Sequence, residues 1–151
     1  MSRNFDGIDD TVNIGSPASL DDKGPFTICA WIYPETQGEA SNGVVIAKGD
    51  TTVSGRWQFR LRLTWELSFF RHFATTTLAR RTADNFIVAN IWQYVSMTWD
   101  GTATASNVKL YKNLAEPGTY AQTLNGSGAL TSDAALDLHI GQRSNGSDNF
   151  D

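Results

Sequence analysis

Hydrophobic and polar positions alternate with period two along much of this chain. Between Trp57 and Trp65 the residues Trp57, Phe59, Leu61, Leu63 and Trp65 fall on one side, and Gln58, Arg60, Arg62 and Thr64 on the other. A helix cannot put large apolar residues at i, i+2, i+4, i+6 and i+8 on one face, so this segment is predicted to be a strand. Phe26 to Tyr33 alternates too, until Pro34 stops it, but both of its faces carry apolar groups. That pattern predicts a central strand covered on both sides, with Cys29 a buried small hydrophobe. Further strands are predicted at Val12–Ile14, Val44–Lys48, Leu67–Phe73, Thr75–Leu78, Phe86–Val88, Trp92–Trp99, Val108–Tyr111, Ala121–Leu124 and Leu136–Ile140. Turn signals separate them, among them Asn42-Gly43, Lys48-Gly49-Asp50, Asp100-Gly101, Asn125-Gly126 and Asn145-Gly146. Ten or more short strands with no window of helical period predict an all-β antiparallel sandwich, and no linker, low-complexity tract or fixed-period repeat divides it. Residues 1–151 therefore read as a single domain.

Composition agrees. Gly, Ser, Thr and Asn make up 51 of the 151 residues, which suits turns and strand surfaces better than helices. The 17 aromatics and 40% hydrophobic residues suffice for a core and exclude disorder. The lone Cys29 allows no intrachain disulfide, and no Cys/His cluster would hold zinc. Apolar runs such as Phe86 to Ala89 are far shorter than the roughly 18 residues of a membrane span. The start Met1-Ser2-Arg3-Asn4-Phe5-Asp6 carries no secretory signal, so the compartment is open.

Charge is unevenly spread. The net value is −4, yet Arg56, Arg60, Arg62, Arg71, Arg80 and Arg81 with Glu66 form a +5 belt, leaving −9 elsewhere. Such a belt could present a positive face to an anionic ligand, and it could equally be the solvated side of a half-buried strand.

Several segments follow one another in a family's order: FDGIDDTVNI (Phe5 to Ile14), GPFTICAWIYP (Gly24 to Pro34), VVIAKGD (Val44 to Asp50), WQFRLRL (Trp57 to Leu63), NIWQYVSMTWDG (Asn90 to Gly101), VKLYKN (Val108 to Asn113) and LHIGQRSNGSDNFD (Leu138 to Asp151). Together they resemble laminin G-like domains of the concanavalin A-like lectin/glucanase superfamily, across almost the whole chain. The resemblance implies a jelly-roll sandwich of two antiparallel sheets with Trp31 and Trp99 in its core, an extracellular or cell-surface setting, and a glycan or an extracellular protein as ligand. Such domains end on a strand of the form G-x-I-D-E-V-R-I, which this chain lacks after Phe150-Asp151. The expectation is either a chain cut short or a homodimer that repairs the open sheet edge.

The chemistry of an enzyme is not found. Polysaccharide hydrolases need paired carboxylates facing one cleft, and of Glu35, Glu39, Glu66 and Glu116 only the loop pair Glu35/Glu39 is closely spaced. His72 and His139 have no HExxH spacing, and His139 is expected at the surface; no GxSxG, GxxxxGK or GxGxxG motif occurs. Laminin G-like domains often hold one Ca2+, for which the resemblance offers Asp6, Asp10, Asp50 and Asp148, with Asp9, Asn145 and Asn149 nearby. Each of these residue types also forms ordinary turns. For a glycan, aromatic faces and polar groups are needed, and the candidates are Gln58, Arg60, Arg62, Arg71, His72, Trp92 and Tyr94. The arginines suit an acidic or sulfated glycan, and replacing Arg60 and Arg62 together should abolish binding without altering the melting curve. The function expected is a noncatalytic carbohydrate-binding or adhesion module; the alternative is a protein-interaction or assembly domain that binds no sugar. No nucleic acid partner is expected.

Overall fold

The computed structural model describes residues 4–50 and 52–151. Among the described residues ten strands form two antiparallel sheets: β1 Val12–Gly15, β2 Phe26–Ile32, β3 Val44–Lys48, β4 Trp57–Arg62, β5 Glu66–Arg71, β6 Leu78–Thr82, β7 Gln93–Trp99, β8 Lys109–Lys112, β9 Tyr120–Leu124 and β10 Leu138–Ile140. The order is β1-β10-β3-β4-β5-β6-β9 in the larger sheet and β2-β7-β8 in the smaller. Three short 3-10 turns, at Ala18–Leu20, Glu39–Ser41 and Ala105–Asn107, complete the regular structure of the described residues.

The alternation in β4 acts as predicted. Trp57, Phe59 and Leu61 point inward beside Leu67 and Phe69 of β5, and meet Val95, Met97 and Trp99 of β7 and Leu110 of β8 in one core. Four aromatics stitch the sheets together: Phe26 lies 5.2 Å from Trp57, 6.0 Å from Phe69 and 5.5 Å from Trp99, ring centre to ring centre.

Beneath this apolar layer, inward-facing charges are tied together. Asp133 Oδ2 accepts from Arg71 Nη1 at 2.8 Å and from Trp57 Nε1 at 3.0 Å, while its Oδ1 accepts from Lys48 Nζ at 3.2 Å and from the Asp22 amide at 2.7 Å. Lys48 also reaches Asp21 at 2.5 Å, and Arg71 donates to the carbonyls of Gly55 and Thr131. Burial penalises the Asp133 charge, but the Asp22 amide, Arg71 and Lys48 outweigh it and hold the carboxyl below its usual range. The network pins the loops around Asp21 and Asp133 to the sheet.

Several expectations are corrected. The strand predicted through Trp65 stops at Arg62, because a tight turn reverses the chain: the Trp65 amide donates to the Arg62 carbonyl, Trp65 adopts φ 61°, and Arg62 pairs with Glu66 across the hairpin. Phe86–Val88 forms no strand, although Ile87 is buried, and the strand expected at Thr75–Leu78 lies instead at Leu78–Thr82. β2 is not central. It pairs only with β7 among the described strands, so its outer side chains face away from the core: Trp31 is 66% exposed and Cys29 is exposed, whereas Trp99 is buried as expected. His139 does alternate outward from Leu138 and Ile140, yet it is buried rather than at the surface.

Candidate ligand-binding face

The hairpin of β4 and β5 sets the register of the larger sheet's outer face. Arg60 pairs with Ser68, Ser68 with Arg81, and Arg81 with Gln122, so these four residues form a row across four strands. The next row is Gln58, Phe70, Ala79 and Leu124. Neighbouring strands lie about 4.8 Å apart, which places Arg60 and Arg81 about 10 Å apart at their Cα atoms. Between the rows lies a shallow hollow of about 290 Å³, lined by Arg60, Arg62, Ser68, Phe70, Ala79 and Gln122 among others.

The arginines differ in their commitments. Arg60 is nearly enclosed: its Nη1 donates to Gln58 Oε1 at 3.2 Å, lies 3.4 Å from Asp148 Oδ2, and its guanidinium sits 5.0 Å from the centre of the Phe70 ring. Burial, with repulsion from Arg62, lowers its pKa to about 10 despite Asp148, so it stays charged at neutral pH. Asp148 also pairs with Arg143, and Arg81 pairs with Glu66 at 2.8 Å. Arg62 makes no salt bridge among the described residues. The face thus carries four guanidiniums against two carboxylates, and both carboxylates are bound in ion pairs.

The sequence candidates are split four ways. Arg60 and Arg62 line the hollow, and Gln58 lies fully buried beside Arg60, its Nε2 without a hydrogen-bond partner. Arg71 does not belong to this face: it points inward and is bound to Asp133. His72 sits at the end of β5, its Nδ1 3.0 Å from Thr131 Oγ1. Trp92 and Tyr94 are on the opposite side of the molecule, where Tyr33 lies 5.6 Å from Trp92 and Trp31 lies 5.7 Å from Tyr94. Ser68, Phe70 and Gln122 escaped the sequence reading, and Arg81 entered it only as one arginine of the basic belt. The hairpin register that brings them beside Arg60 depends on where the Arg62 turn falls.

Both histidines are held in the neutral form. Burial lowers the pKa of His72, helped by Arg56 and Arg71, and burial lowers that of His139 against the pull of Asp137. Each folded pKa lies below the ordinary 6.5, so on acidification the unfolded chain binds protons first and stability falls as pH drops below about 6.5. Urea midpoints at pH 7.5 and 5.5 should show the lower value at pH 5.5, and His139→Gln should shrink the gap.

The calcium candidates do not assemble. Asp6 Oδ1 accepts from the amides of Ile8 and Asp9, which lowers its pKa, and its own amide donates to Asp10 Oδ2 at 3.2 Å. Asp50 caps Thr52 through both amide and hydroxyl, and Asp148 lies between two arginines. Among the described residues no three acids or histidines converge. A carboxylate already paired with two guanidiniums is a poor calcium ligand, which argues against Asp148 in that role.

Among the described residues no helix is long and apolar enough to cross a membrane. No curated protein matches the chain. Residues 6–151 match a laminin G family model described as the concanavalin A-like lectin/glucanases superfamily. Domains of that kind are generally noncatalytic modules that bind glycans or proteins, in carbohydrate recognition or adhesion, and they are typically extracellular. With two antiparallel sheets stacked on a shared core and a family match over nearly its whole length, the chain belongs to the laminin G-like family of that superfamily.

Proposed function

We propose that the outer face of the seven-stranded sheet binds an acidic or sulfated glycan without chemical turnover. The observation that carries this reading is Arg62, a guanidinium free of salt bridges among the described residues, at a hollow that also offers Arg60, the Phe70 ring and Gln122. A guanidinium donates in a planar fork that matches a sulfate or carboxylate, the ring offers an apolar surface to sugar C–H groups, and the amide serves hydroxyls. Noncatalytic binding is supported by the two carboxylates of the face, Glu66 and Asp148, each bound to arginine rather than free to act as acid or nucleophile.

The double substitution suggested by the sequence is not a clean test, because removing Arg60 takes one of two cations from buried Asp148. Arg62→Ala avoids this. A charge-assisted hydrogen bond is worth about 1.5–3 kcal/mol, so this variant should bind a sulfated oligosaccharide at least about tenfold more weakly, with an unchanged melting temperature. Arg62→Lys should fall between the two, and rising salt should weaken wild-type binding. Undiminished calorimetric affinity in Arg62→Ala would refute the assignment.

A further inference from the structure

The hollow on the outer face exists because two small residues meet there. Ser68 of β5 pairs with Arg81 and Phe70 with Ala79, so Ser68 and Ala79 are diagonal neighbours, about 7–8 Å apart across the β5–β6 pair. Around them the outward positions carry long side chains: Gln58 and Arg60 on β4, Phe70 on β5, Arg81 on β6, Gln122 and Leu124 on β9. A serine and an alanine among such neighbours leave a gap. Its volume of about 290 Å³ lies at the lower end of the roughly 300–1,000 Å³ of sites for drug-sized ligands, room for one sugar ring with its substituents rather than for a run of rings.

The charges around the hollow agree with that size. Arg60 is held by Gln58 and Asp148, and Arg81 by Glu66. Arg56 donates to the Val53 carbonyl at 2.7 Å, and Arg80 donates to Thr123 and lies over the Tyr120 ring. Of these five arginines with Arg62 beside them, Arg62 is the one whose guanidinium makes no hydrogen bond or salt bridge among the described residues. A run of sulfates needs a run of open cations, and the hollow offers one.

On the reading that this face binds an anionic glycan, we infer that the unit recognised is a single pyranose residue with one anionic group, and that Ala79 sets the limit on its size. The ring sits over Ser68 and Ala79 beside the Phe70 ring, and its sulfate or carboxylate meets the fork of Arg62. Ala79 faces outward, as Phe70 and Leu124 do in the same row. A longer side chain at position 79 therefore fills the hollow without entering the core or removing a charge.

The probes are galactose 6-sulfate and glucuronic acid, which present the sulfate and the carboxylate separately, neutral galactose, and a sulfated tetrasaccharide, each titrated by NMR into the whole chain. The tighter of the two acidic monosaccharides is expected to bind within about tenfold of the tetrasaccharide and to shift Arg62, Phe70 and Gln122, and galactose at least about tenfold more weakly than that monosaccharide. Ala79→Leu should lose at least about tenfold toward monosaccharide and tetrasaccharide alike, with an unchanged melting temperature. Should that variant fail to fold, the comparison of ligand sizes on the wild type decides alone. A tetrasaccharide that binds through Arg62 while both acidic monosaccharides bind more than about tenfold more weakly, or a folded Ala79→Leu with undiminished affinity, overturns this inference and leaves the glycan reading in place. A wild type that binds none of the four overturns both.

Discussion

Replacing Asp133 by alanine is expected to destabilise the protein by about 3–5 kcal/mol, the usual cost of removing one partner from a buried ion cluster. Its carboxylate receives Arg71, Lys48, the Trp57 indole and the Asp22 amide, and both cations are fully enclosed. Alanine leaves Arg71 without a carboxylate and Lys48 with Asp21 alone. Denaturant titration of the two proteins measures the loss. Adding Lys48→Met to Asp133→Ala should recover part of it, because the orphaned ammonium is then gone and the two effects are not additive. Acid reports on the same carboxylate. Its folded pKa is below the unfolded one, so its contribution is fully present above the unfolded value of about 4 and is lost as pH falls through the folded value.

Phe69→Ala is expected to cost a further large amount, about 3–5 kcal/mol, since a buried phenylalanine leaves both lost transfer energy and a cavity. Phe69 is fully buried and lies 6.0 to 6.5 Å from the rings of Phe26, Trp57 and Trp99, which come from both sheets. The cavity would therefore open between the layers. Phe69→Leu should lose less, as it keeps much of the volume, and thermal melts of the pair measure the difference.

Alternation in β4 and the glycine-marked turns made the sandwich legible, because inward apolar and outward polar positions differ in the residues themselves. Trp31 was misplaced since its alternation states only that two faces are apolar; whether another layer covers the second face depends on strands far away in sequence. Arg71 was taken for a surface cation, although Leu67 and Phe69 at i−4 and i−2 put it inward by the same parity rule. Its charge masked the signal, and its partner Asp133 lies 62 residues away. Lys48 was hidden in a turn signal, Lys48-Gly49-Asp50, and nothing local shows that its stem runs into the core toward Asp21 and Asp133. Five of the six arginines of the basic belt fall into two populations, with Arg71 and Arg80 on the inner side of the sheet and Arg60, Arg62 and Arg81 on the outer one. Trp92 and Tyr94 were grouped with Arg60 by chemistry alone, and chain topology separates them onto opposite faces.

The most direct measurement is a titration of isotope-labelled protein with a sulfated oligosaccharide, followed by amide and side-chain NMR shifts. The shifts are expected to move together at Arg60, Arg62, Ser68, Phe70, Arg81 and Gln122 and to remain still at Trp31, Trp92 and Tyr94. Movement confined to that aromatic face, or saturable binding that leaves Arg62 and Phe70 unmoved, would contradict the assignment of the glycan to the seven-stranded sheet.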